Sequence, residues 1–92
     1  MVRATVNDVV VAESSDTAFV EGNHYFPPES IKVVLSISDT TYTCPYKGHA
    51  SYYNADIAGK TVKDIAWVYP DPTSKVEIKG RYAFDKAQVQ VA

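Results

Sequence analysis

The chain is poor in the residues that usually announce a chemistry: one cysteine, two histidines, one tryptophan and four glycines among 92 residues. A single cysteine excludes an intrachain disulfide and any cysteine-rich zinc cluster within one chain. His24 and His49 lie far apart and match no metal-ligand spacing, so neither a metal nor another cofactor is expected. The glycines are scattered, which leaves no glycine-rich loop to cradle a phosphate. Charge of one sign is scarce too. Nine basic side chains are interspersed with eleven acidic ones for a net charge of -2, and no basic stripe marks a nucleic-acid partner. No apolar run approaches the roughly 20 residues that cross a bilayer. Met1 to Thr5 carries no charged-then-apolar signal pattern. The expectation is a cytoplasmic protein with neither a membrane nor a nucleic-acid partner.

What is present is aromatic. Seven tyrosines and a tryptophan suit a small β core or an aromatic-walled pocket, because each has a large apolar body and a polar handle. Apolar residues at 46% and charged residues at 22% describe an ordinary globular chain, and the length predicts one domain over residues 1–92.

The patterning is β throughout. Ala4–Val6 and Val9–Ala12 flank Asn7-Asp8, a pair that tolerates the positive φ of a tight hairpin turn. Thr17–Glu21 reads as a strand ending at Gly22-Asn23, and the Pro27-Pro28 pair then breaks the sheet, with a short helical turn from Pro28 to Ile31. Lys32–Ile37, Thr40–Cys44, His49–Ile57, Thr61–Lys63 and Ile65–Tyr69 follow as strands, then a loop over Pro70–Ser74. Lys75–Lys79 alternates as a half-buried strand would, Gly80 suggests a bulge, and Arg81–Phe84 follows. The fold class is all-β, with about eight short strands in one compact domain.

The densest chemistry lies in Thr43-Cys44-Pro45-Tyr46-Lys47-Gly48-His49-Ala50-Ser51-Tyr52-Tyr53. Pro45 presets the first corner of a turn and Gly48 can take the left-handed position, giving a three-residue hairpin loop. Cys44 is either a thiol activated by Lys47 or a small buried hydrophobe. Lys47 is either an anion-binding or reactive amine, or the exposed corner of the hairpin. His49 is within reach of Cys44 across the strand pair, a minimal arrangement for an activated thiol. Glu21, His24 and Tyr25, in the loop before the prolines, can supply a general acid or base if that loop folds over the hairpin. Tyr52 and Tyr53 face opposite sides of their strand, while Trp67 and Tyr69 share a face suited to a core wall or to stacking a planar ligand.

Three segments together are similar to a known family. Glu21–Glu29, Thr43–Gly48 with Ala50–Tyr53, and Ala66–Pro70 resemble, in order and spacing, the family named domain of unknown function 427, over about residues 6–84. The resemblance implies a small β-tent-like fold, related in shape to methionine-R-sulfoxide reductase and translationally controlled tumour protein. Some β-tent relatives hold zinc with two Cys-x-x-Cys pairs, which a chain with one cysteine does not possess. The family often reads Gly-His where this chain has Gly80-Arg81. It is sometimes labelled nucleotidyltransferase-like, yet this sequence lacks the paired carboxylates and phosphate cradle of that chemistry.

Two functional expectations follow. One is a pocket around Cys44 and Lys47 that binds a small anionic or planar molecule, walled by Tyr25, His49, Tyr52, Trp67 and Tyr69. If it is catalytic, Cys44 or Lys47 is the reactive group, with His24, His49 or Glu21 carrying protons. The other is a non-catalytic interaction module, a homodimer joined through exposed aromatics.

Overall fold

A computed structural model describes all residues from Met1 to Ala92. Nine strands form three antiparallel sheets. Strands β1 (Val2–Val6), β2 (Val9–Ser14) and β9 (Gln90–Val91) make the first, in the order β2-β1-β9. A hairpin of β3 (Ala18–Val20) and β4 (Asn23–Tyr25) makes the second. The third runs β5-β6-β7-β8, from β5 (Val34–Cys44), β6 (Gly48–Ile57), β7 (Lys60–Val68) and β8 (Tyr82–Phe84). The only helical pieces are two 3₁₀ turns, Pro28–Ser30 and Val76–Ile78. No helix is long and apolar enough to cross a membrane.

Turn chemistry places most of the boundaries. Asn7 and Asp8 both take positive φ (47° and 68°) and close the β1–β2 hairpin as expected. Ala58 and Gly59 do the same between β6 and β7 (50° and 81°). The β3–β4 turn is Glu21-Gly22, with φ of 51° and 84°. It therefore falls one residue earlier than the Gly22-Asn23 pair suggests. As a consequence His24 and Tyr25 lie on a strand rather than in a loop.

The central sheet separates two cores. Ala66 and Phe84 are directly paired and pack with Phe26, Val11 and Ala12 on one face. Their chain neighbours Trp67 and Ala83, also paired, turn to the opposite face with Tyr25, Cys44, Ala50 and Tyr69. The first sheet covers the larger core, and the β3–β4 hairpin together with Ile78 covers the smaller one. Tyr52 and Tyr53 divide as the alternation requires: Tyr53 packs against the larger core and Tyr82, while Tyr52 lies beside Trp67.

Four expectations need correction. The two strands read before Cys44 are one strand, β5, with an irregularity between Ile37 and Thr41. The two read from Thr61 to Tyr69 are likewise one strand, β7, in which Asp64 adopts φ 55°. Lys75–Lys79 is no strand. Lys75 enters the left-handed region (φ 57°) and the chain coils into a 3₁₀ turn. Val76 and Ile78, which a strand would hold on one face, are consequently 72% and 0% exposed. Gly80 is an open turn residue, not a bulge or close approach, since nothing lies within 4 Å of a Cβ placed there.

Gly48 is the glycine with least freedom to change. It holds φ 101°, and an added Cβ would meet the Thr73 side chain and amide at 3.4 Å. Gly48→Ala is expected to destabilise the fold by about 1–3 kcal/mol, the usual cost of such a backbone conformation for an L residue. Urea unfolding of wild type and variant measures this. An unchanged midpoint would contradict the tight seating of this turn.

Candidate functional site

The β5–β6 turn is built from Pro45, Tyr46 and Lys47, and its backbone is tied down from two sides. From within, the Lys47 N–H donates to Cys44 Sγ at 3.4 Å. From outside, the 70–74 loop docks on it. The Thr73 amide donates to Lys47 O at 3.0 Å, and Thr73 Oγ1 donates to Tyr46 O at 3.1 Å, joined there by the Ser74 hydroxyl. The turn is thereby fixed so that the Lys47 side chain, 10% exposed, folds back over the sheet instead of reaching into water.

Lys47 Nζ forms an ion pair with the Glu21 carboxylate at the tip of the β3–β4 hairpin. It also lies 5.7 Å from the centre of the Tyr69 ring, within cation–π range. Around this pair is a cavity of about 140 Å³ lined by Glu21, Asn23, Tyr25, Tyr42, Lys47, Ala50, Tyr52, Trp67 and Tyr69. Trp67 Nε1–H donates to Tyr25 Oη at 3.3 Å, which sets the indole plane. The Tyr52 and Trp67 rings are 6.0 Å apart and tilted by 42°, forming an aromatic wall.

Electrostatics divide the lining cleanly. Burial is the largest single influence on Lys47 and disfavours its charge, but the hydrogen bond to Glu21 together with the Tyr69 and Cys44 groups beside it outweighs burial and holds the lysine above its ordinary value. The same hydrogen bond, with the Lys47 charge, keeps the Glu21 carboxyl below the usual range. Burial pushes the Tyr69 hydroxyl up to about 12 and raises Tyr25 and Tyr52 as well. At neutral pH the cavity thus offers one cation, one anion and neutral phenols as donors.

Six of the residues anticipated from sequence are brought together here: Glu21, Tyr25, Lys47, Tyr52, Trp67 and Tyr69. Three are not. Cys44 lies in the smaller core, where the Lys47 and Tyr46 amides hold its thiol below its ordinary value. His49 pairs with Thr43, one register position from the Cys44–Gly48 pair, so its side chain leaves by the opposite face and approaches Thr43 Oγ1 at 3.4 Å. His24 sits between Asn23 and Tyr25 and turns away from this cavity. It meets Thr17 Oγ1 at 2.9 Å and the Phe19 ring at 4.7 Å, in a separate recess of about 200 Å³ that Phe84 and Lys86 also line.

Asn23, Tyr42 and Ala50 also line the cavity, although the sequence alone does not single them out as ligand-binding. Tyr42 and Ala50 are cross-strand partners and lie on the Cys44 face, so the hairpin register carries the signal for both. Asn23 is masked by the one-residue displacement of its turn. Arg81 plays a structural part. It donates to Asp16 O at 2.6 Å and Tyr25 O at 3.5 Å, fastening the β3–β4 hairpin to the body.

The ion pair predicts a pH signature. Glu21 titrates lower in the folded chain than its ordinary 4.5, so its stabilising contribution is full above that value and is lost as pH falls through the folded value. Melting temperatures of wild type and Glu21→Gln should differ most at neutral pH and converge in acid. A gap that persists undiminished to pH well below the carboxylate range would contradict the pairing.

No curated protein matches the chain. A family profile does, and it extends beyond the span over which the sequence motifs suggest a resemblance. With the cysteine–lysine turn, the aromatic wall and the hairpin over it on one side of the sheet, residues 1–92 match the profile described as domain of unknown function (DUF427), and the chain belongs to that family.

Proposed function

We propose that this cytoplasmic domain binds a small anionic or planar molecule in the cavity above the Cys44–Gly48 turn. The observation that carries the reading is a lysine ammonium sunk into an aromatic cavity and matched by a half-exposed carboxylate. A buried charge is costly to maintain, and a recess with a few converging polar groups among aromatics is the usual form of a ligand site. Trp67 and Tyr52 suit the face of a planar guest, and Lys47 suits its anionic edge.

Within this reading Lys47 is an anchor, not a nucleophile, because an ammonium held by Glu21 has no free lone pair. Cys44 supports the turn from below. The cavity, at about 140 Å³, falls short of the roughly 300 Å³ or more of drug-sized ligand pockets. The four glycines fall at four separate turns or strand ends, so they form no glycine-rich phosphate cradle.

A thermal-shift panel of organic acids, aromatic carboxylates and neutral planar rings tests the reading. A ligand present at 100 times its dissociation constant stabilises by about 2.7 kcal/mol. Lys47→Met should abolish the shift and Trp67→Ala should weaken it. Cys44→Ala should lower the melting temperature while preserving the ligand-induced shift. A panel with no shift for wild type would overturn the proposal.

A second reading, a homodimeric interaction module, is favoured by one feature. Strand β5 is an open sheet edge of 11 residues and exposes Val34, Ile37 and Tyr42. Under it, Ile37→Lys should convert a dimer to a monomer in sedimentation velocity. A monomeric wild type would remove this alternative.

A further inference from the structure

The charge balance of the cavity constrains how an anion could enter it. Lys47 Nζ has three donors, and its hydrogen-bond partner is the Glu21 carboxylate. While that pair is closed the site is neutral, so an incoming carboxylate meets no net attraction. The two partners are unequal. The Glu21 side chain is 51% exposed, and its residue occupies a two-residue turn with positive φ at the tip of a short hairpin. Moving its carboxylate from Lys47 into water breaks a pair that is exposed on one side and therefore weak. The Lys47 side chain is 10% exposed and its backbone is tied to the 70–74 loop, so it is the less free of the two partners to move into water. Leaving it buried and unpaired is the strongly unfavourable state. The charge on Lys47 must accordingly be handed from one carboxylate to another.

Size sets the rest. A recess of about 140 Å³ is of the order of the roughly 150 Å³ enclosed apolar cavity that holds benzene, and beside the half-exposed Glu21 it opens to solvent, which leaves room for a carboxylate on the ring. The Tyr52 and Trp67 rings, tilted by 42°, offer that guest two aromatic faces, one of which can stack on it.

We infer that Glu21 is a displaceable counter-ion, and that the cavity takes a single-ring aromatic carboxylate whose carboxylate replaces Glu21 on Lys47. The inference rests on the binding reading above and adds the ligand class and the exchange by which it enters. Glu21 then sets specificity. It excludes weak anions by competing with them, and it keeps Lys47 paired when the site is empty.

Benzoate and its neutral isostere benzamide are suitable probes, titrated calorimetrically into wild type, Glu21→Gln and Lys47→Met. Removing a competing surface-type ion pair should tighten benzoate binding by about fivefold in Glu21→Gln, which retains an acceptor for Lys47. Benzamide, which does not compete for the charge, should change by less than about twofold on the same reasoning. Lys47→Met should bind no benzoate. A second measurement needs only wild type. The Glu21 carboxyl, read by NMR titration, should move up toward its ordinary 4.5 when benzoate saturates the site, as it leaves Lys47 while still feeling Lys75. Benzoate binding that is unchanged or weakened in Glu21→Gln, with the Glu21 titration unmoved, would overturn the exchange and leave the binding site standing. Binding of another member of the panel but not of benzoate would overturn the ligand class. No binding of any probe to wild type would overturn both.

Discussion

The candidate site depends on how the backbone of one turn is held. Residues 45–47 could have projected into solvent, as hairpin tips usually do. Here the carbonyls of Tyr46 and Lys47 are both taken by the 70–74 loop, and the Lys47 amide is taken by Cys44 Sγ. With three of the turn's polar groups committed its backbone is fixed, and from it the Lys47 side chain folds inward over the sheet to Glu21. The Tyr69–Lys79 bridge and the bond from the Gly80 amide to Tyr69 O, 3.1 Å, hold the end of β7 from which that loop departs. Gly48 completes the clamp by letting Thr73 come close.

Once the lysine is inside, the remaining polar lining follows from its charge. A cation in a half-buried recess needs a counter-charge and polarisable neighbours. The β3–β4 hairpin brings Glu21 to it, and Arg81 and Lys86 hold that hairpin down, Lys86 through Gly22 O at 2.8 Å. The Tyr69 ring lies beneath the ammonium. Phenols are neutral at neutral pH and burial raises Tyr25, Tyr52 and Tyr69 further, which leaves the Lys47–Glu21 pair as the only opposed charges in the lining.

Much of this is legible in the chain itself. Two-residue turns at Asn7-Asp8 and around Gly59, the proline break and the Pro45–Gly48 hairpin are local chemistry, and each falls where the residues put it. Opposite facing of Tyr52 and Tyr53, and shared facing of Trp67 and Tyr69, need only strand alternation. What escapes is long-range. Alternation in Lys75–Lys79 suggests a strand, but no partner strand is there, and docking of Ile78 into the smaller core favours a 3₁₀ turn. The proximity of Cys44 and His49 in sequence suggests a dyad, yet a register offset of one position sends them to opposite faces. The pairing of Lys47 with Glu21, 26 residues apart, has no sequence signature beyond both residues standing at turns.

The central claim is that Lys47 is a permanently charged anchor inside an aromatic cavity. Its most direct test is an NMR titration of the Lys47 side chain, following the ¹³Cε or ¹⁵Nζ resonance from neutral to strongly alkaline pH. The account predicts an ammonium that persists above the ordinary lysine value of 10.5, with a lower titration in Glu21→Gln, which removes the carboxylate charge but leaves Tyr69 and Cys44 in place. A lysine that titrates below 10.5 would be governed by burial rather than by its ion pair, and would contradict the account.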